Sequence, residues 1–332
     1  MLGAPSGSGA EPLRDLINAS RFREALSVYL DWSESSVELT PCSHLLAAHA
    51  ASRIGEFELA GSLAATAQSE FRAGADELGV LDCANLLGAV AFERGNIDEA
   101  QAQFRYVLQM AERAGCARFT ARGANNLAII AHLRGQREHA AALYQKALTA
   151  YHQIEDERGI VETRYNVVQN QRDSGRTDAT LRDCNRAVDA AERLGPGGLI
   201  ALTLLGRAEL LIECGAFDRA AEDIDRAQML AWTEGSEPHV LESERLRALL
   251  ALRQGQPENA HRRAELIRTR ATDSGCALIA AQSAAIAALA LKADRRLREA
   301  AVANDLAVAS LMALGATGLL ERHARAWRDT AA

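Results

Sequence analysis

Lysine is almost missing from this chain. Of 37 cationic residues only Lys146 and Lys292 are lysine, and neither follows a glycine. That excludes the G-x-x-x-x-G-K-[ST] loop that cradles phosphates. H-E-x-x-H, G-x-S-x-G and S-x-x-K are absent too, which removes the commonest metalloprotease, hydrolase and acylation signatures. The 8 histidines are scattered: His44 and His49 lack the four-residue spacing of helical ligand pairs, and His132 and His139 straddle a turn. No carboxylate pair stands out by spacing. The 6 cysteines include no C-x-x-C and no metal-ligand pattern, so reduced thiols are expected, with no metal, no cofactor and no catalysis.

Aromatics are scarce at 5%, and the 6 prolines sit mostly at the edges of apolar segments. Alanine supplies roughly a fifth of the residues, far above its usual share. It is the best helix former and lets helices approach closely. The composition is all-helical, and the Arg and Ala bias is that of a high-GC bacterial genome. A formal net charge of −7 argues against nucleic acid as a direct partner. The acidic stretch 201–240, with Glu209, Glu213, Asp218, Glu222, Asp223, Asp225, Glu234 and Glu237, reads as a solvated outer face. The start MLGAPSGSGAEP has neither the basic end nor the apolar core of a signal peptide. Cys276 to Leu291 is apolar but contains Gln282 and Ser283 and falls short of the roughly 20 residues a span needs. It reads as a buried helix, and the chain as cytoplasmic with no membrane partner.

What is abundant is periodicity. Glycine recurs every forty residues at Gly55, Gly95, Gly135, Gly175, Gly215 and Gly255, with Arg295 in the next slot. Five residues later come Ala60, Ala100, Ala140, Thr180, Ala220, Ala260 and Ala300. A period of this length marks a solenoid whose units bury their apolar faces only against their neighbours. A second glycine midway, at Gly115, Gly195, Gly235, Gly275 and Gly315, makes two helices per unit, each about 18 residues or roughly 27 Å long. Ala75 and Glu155 replace that glycine, and the nearby Gly74, Gly79 and Gly159 suggest shifted helix ends there. Small residues seven before the turn (Ala48, Gly88, Ala128, Val168, Ala208, Ala248, Ala288) and larger ones nine after it (Phe104, Tyr144, Ile224) suit close antiparallel helix packing.

Residues 125–148, NNLAIIAHLRGQREHAAALYQKAL, resemble a tetratricopeptide repeat, and residues 85–108 match comparably well. Ala128, Gly135, Ala140, Tyr144 and Ala147 stand at that family's structural positions. The unit is longer than the family's usual length, as in its long-helix variety. The resemblance implies an all-α fold, a right-handed α-α solenoid of antiparallel helix pairs wound into a superhelix. Its expected organisation is a disordered segment 1–10, an N-terminal helix pair and connection over 11–39, seven 40-residue repeats over 40–315 and a capping helix over 316–332. Leu319, Leu320 and Trp327 supply that cap's apolar side and Arg322, Arg325 and Arg328 its wet side. A homodimer through the same C-terminal end is the competing arrangement.

In such arrays the first helix of each unit lines a concave groove. Helical spacing puts Arg122, Asn125, Asn126 and His132 on one stripe, between Asn85 and Phe92 on one side and Tyr165, Asn166, Gln169 and Arg172 on the other. Asn85 and Asn125 share a slot, as do Asn126 and Asn166. Asparagine is a poor helix former, so propensity does not explain its return. An amide both donates and accepts, so a ladder of them can clamp a peptide backbone, or equally tie neighbouring helices together. Arg245, Leu249 and Leu252, farther along, read as groove wall or a dimer contact. The main functional reading is a non-catalytic scaffold that binds a protein or extended peptide in this groove. The alternatives are a sensor that changes superhelical pitch on binding a peptide or small ligand, and an enzyme with its pocket inside the superhelix.

Overall fold

The computed structural model describes residues 10–35, 37–172 and 177–330. Gly175 and the N-terminal segment 1–9 lie outside them. Seventeen helices are present among the described residues: α1 (Glu11–Asn18), α2 (Phe22–Glu34), α3 (Pro41–Ile54), α4 (Phe57–Ala73), α5 (Glu77–Glu93), α6 (Ile97–Ala114), α7 (Ala117–Leu133), α8 (Arg137–Gln153), α9 (Glu157–Gln171), α10 (Thr177–Leu194), α11 (Gly197–Glu213), α12 (Phe217–Glu234), α13 (Glu237–Arg253), α14 (Pro257–Asp273), α15 (Ala277–Ala293), α16 (Leu297–Ala313) and α17 (Thr317–Asp329). They pack pairwise into an all-α superhelix of the tetratricopeptide type. Odd-numbered helices line the inside from α5 on, and even-numbered ones form the outside.

The repeat alanines sit where helices cross. Ala60, Ala100, Ala140, Ala220 and Ala260 are fully buried, and Phe104, Tyr144 and Ile224 fill the space one turn away. Turns close with left-handed glycines such as Gly95 at φ 82° and Gly215 at φ 75°. The expectation of shifted ends at Ala75 and Glu155 fails. Both residues adopt the left-handed conformation themselves, at φ 56° and 54°, and Arg295 does so at 61°. The strain is about 1–2 kcal/mol per residue, and the next helix holds it in place. Asp76 and Asp156 cap α5 and α9 by accepting from the N–H of Gly79 (2.9 Å) and Gly159 (3.0 Å). A side chain at Gly79 would strike the Phe71 ring, so this glycine serves packing and not the turn.

Burial is not confined to neighbouring units, as the solenoid reading assumed. The superhelix closes on itself, bringing α13 against α3 and α17 against α7. One core runs from Leu45, Phe57 and Leu86 to Leu241, Ile267 and Ile279. A second joins Ile97, Ile130 and Leu133 to Leu311 and Leu314. Glycine makes the approach close enough: a Cβ on Gly95 would lie 2.6 Å from Leu314 and 2.8 Å from Ala277. Thr317 Oγ1 donates to the Arg134 carbonyl at 3.0 Å. α17 also packs on α16 and α15, with His323 Nε2 2.9 Å from Asn304 Oδ1 and the Lys292 ammonium 4.8 Å above the Trp327 ring. α15, the apolar helix, is buried, and no helix among the described residues is long and apolar enough to cross a membrane.

Candidate ligand chamber

The residues singled out on the inner face divide into two groups. In the first, the asparagines satisfy one another. Asn126 Nδ2 donates to Asn85 Oδ1 at 2.9 Å, Asn125 Nδ2 to Asn126 Oδ1 at 3.5 Å, and Asn166 Nδ2 to Asn125 Oδ1 at 3.1 Å. The ladder ties α5, α7 and α9 together, and Asn125 is buried. Arg122 and Arg118 each meet Asp82 at 3.0 Å, and His49 Nε2 lies 3.7 Å from the same carboxylate. Burial alone would raise the Asp82 carboxyl, but His49, Arg122 and Arg118 outweigh it and hold the group well below the carboxylate range. Arg122 is thus committed to an ion pair with Asp82, which holds the same slot one unit earlier on the neighbouring stripe.

The second group comes together. Phe92, His132, Tyr165, Asn166, Gln169 and Arg172 line a central cavity of about 340 Å³. Closure of the superhelix completes its wall with Glu209 of α11, His239, Glu242 and Arg245 of α13, Leu278 of α15, and Leu319 and Arg322 of α17. Arg322 therefore faces the chamber, while Arg325 and Arg328 are exposed. Tyr165 fits because residue 206 is glycine: a Cβ there would lie 2.1 Å from its ring.

A buried ion-pair chain runs along one wall. Arg172 pairs with Glu213 and, at 2.7 Å, with Glu209. Arg245 reaches Glu209 at 3.4 Å and Glu242 at 2.6 Å. Burial pushes the Glu209 carboxyl up, but Arg172 and Arg245 outweigh it and keep it ionised far below the ordinary range. The same acids overcome burial and hold both guanidiniums charged. The reading of residues 201–240 as a solvated face fails at Glu209 and also at Asp223. Asp223 is buried and takes a two-pronged pair from Arg207, both bonds at 2.7 Å. Arg245 likewise is an interior ion-pair partner.

Two chamber groups had no signal in the sequence. The Glu93 carboxylate has no ion pair or hydrogen bond among the described residues; burial and the nearby Glu242 raise it to about 7, against the pull of Arg53. His239 has its Nδ1 3.0 Å from Ser236 Oγ, and burial together with Arg53 lowers it to about 3, so it is neutral. These groups come from helices some 150 residues apart, and no local pattern records their meeting. Among the described residues no cluster of His, Cys, Asp or Glu is placed to hold a metal. The chamber offers aromatic and aliphatic contacts, amide and imidazole hydrogen bonds, and one unpartnered acid. It suits a small ligand or part of a peptide.

Residues 81–153 match the family model described as tetratricopeptide repeat. That segment carries tetratricopeptide repeats. No protein of curated description matches it. Among solved structures, a Rap protein complexed with competence and sporulation factor superposes with a TM-score of 0.71 at 15% identity, covering 91% of this chain and 83% of that one. The Rap conjugation gene regulator of plasmid pLS20, in complex with the Phr* peptide, gives 0.63 at 13% identity over 86% and 76%. NprR in complex with its cognate peptide NprX gives 0.59 at 13% identity over 97% and 98%. At such identities the likeness establishes the superhelical fold alone.

Proposed function

We propose that this tetratricopeptide protein is a non-catalytic sensing and regulatory module. A peptide or small ligand enters the central chamber, and its binding sets how far the superhelix closes. One observation carries the reading: the chamber spans the closure seam. Phe92 and His132 come from the first superhelical turn and Leu278, Leu319 and Arg322 from the second. An occupant touches both, so its affinity differs between open and closed forms, and by linkage it shifts their balance. The pLS20 Rap regulator and NprR, solved in complex with the Phr* and NprX peptides, support it by likeness of fold. At about 340 Å³, and open to solvent on part of its surface, the chamber holds a short stretch of chain.

In this reading the units are the long-helix, 40-residue variety over residues 40–315, preceded by a helix pair over 11–39. α17 serves both as cap and as seam, and the module acts inside the cell on a protein partner. The test is to isolate the chain with its native ligand, identify the ligand by mass spectrometry, and follow its binding by small-angle scattering. Binding should change the radius of gyration, and Tyr165→Ala should weaken it at least tenfold. Binding without a change in dimensions makes the protein a static scaffold; full affinity in Tyr165→Ala moves the site out of the chamber.

A further inference from the structure

α16 carries unusual chemistry on its outward face. The slot of Val302 is held in the earlier units by Ser62, Ala102, Ala142, Arg182, Glu222 and Arg262, all exposed. Val302 is 72% exposed there, and one turn on Leu306 is 48% exposed, in a slot where the preceding unit has Leu266 at 60%. The slot of Arg298 is acidic in every earlier unit: Glu58, Asp98, Glu138, Asp178, Asp218 and Glu258. A carboxylate in the first turn of a helix is favoured by the helix dipole, and an arginine there is disfavoured. Arg298 is exposed and has no ion-pair partner among the described residues. At Val302 a branched aliphatic side chain stands where the other units expose serine, alanine or a charged residue, and at Arg298 a cation stands where the helix prefers an anion. Both departures are explained if something covers this face.

The pattern specifies what covers it. At 100° per residue, Arg298, Val302, Asp305, Leu306 and Ala309 share one stripe about 100° wide. A second copy of that stripe, laid antiparallel with the two-fold axis beside Val302, places Arg298 opposite Asp305 of the partner subunit. The same operation repeats the match in reverse, so one complementary pair occurs twice. Val302 meets its own copy at the centre. We propose that α16 is a homodimer interface, packed antiparallel on the α16 of a second copy of this chain, with Arg298–Asp305 pairs fixing the register. The proposal rests on the outer face alone and does not depend on the chamber. Overlap of about three turns puts the contact at the small end of stable interfaces, so association depends on concentration.

Sedimentation equilibrium of the full chain across micromolar concentrations tests this. A reversible monomer–dimer equilibrium is expected. Val302→Glu should make the protein monomeric while leaving its circular dichroism and melting temperature nearly unchanged, since the residue is largely exposed in the monomer. Arg298→Asp should weaken the dimer at least tenfold, and adding Asp305→Arg should restore it. A wild-type chain that stays monomeric leaves the face to a different protein and overturns the proposal. So does a dimer that survives Val302→Glu, or a charge-swapped double variant that fails to re-associate.

Discussion

The Thr317 hydroxyl donates to the carbonyl of Arg134 at 3.0 Å, joining residues 183 apart in the chain. It marks the seam at which the last helix lies on the turn between α7 and α8. Beside it, a Cβ on Gly318 would come within 3.2 Å of the His132 carbonyl and 3.3 Å of that of Leu133. The seam is thus backbone against backbone, where neither side can yield by changing a rotamer.

Gly318→Leu should therefore open the superhelix without unfolding its units. Small-angle scattering should report a larger radius of gyration at unchanged helical circular dichroism. An unaltered scattering curve would mean that closure does not depend on this contact.

The asparagine ladder should matter for stability whether or not it also meets a ligand. Replacing Asn126 and Asn166 by alanine removes the partners of the buried Asn125, leaving its amide unsatisfied. The loss should be about 1–3 kcal/mol in urea denaturation. An unchanged midpoint would show that water replaces the missing partners.

Glu209 bridges Arg172 and Arg245 inside the chamber wall. Glu209→Leu should destabilise by about 3–5 kcal/mol, because it leaves buried guanidinium charge uncompensated. Glu209→Gln, which keeps hydrogen-bond acceptance, should cost less. Equal losses in the two variants would point to packing, with charge playing no part.

Glu93 gives the chain a particular pH response. Its carboxyl is raised from 4.5 to about 7, so the folded state binds a proton that the unfolded state has released. Its contribution is fully present below about pH 4.5, declines as pH rises to about 7, and is flat above. Glu209 and Asp82, held low, have the opposite sign, and their contribution is lost progressively as pH falls below about 4.5. Glu93→Gln should flatten the stability profile between about pH 4.5 and 7 and stabilise the protein at pH 8. Matching slopes for variant and parent would place Glu93 in contact with water.

The helix pairs, the small residues at their crossings and the inner faces were legible in the sequence. Each depends on interactions within about forty residues, and local packing repeats as faithfully as the residues that make it. Of the residues chosen for the inner face, Phe92, His132, Tyr165, Asn166, Gln169 and Arg172 do line one cavity. Glu93, Glu209 and His239 escaped, and Arg122 turned out to be committed to Asp82. Curvature decides these, because small angles between successive units add up until α17 reaches α7. That sum is set by many slight differences in side-chain volume, and no single slot reports it. The amino-acid order by itself determined a chain of paired helices with a polar inner face. Only the tertiary structure decided that this face closes into a chamber, and which charges it buries.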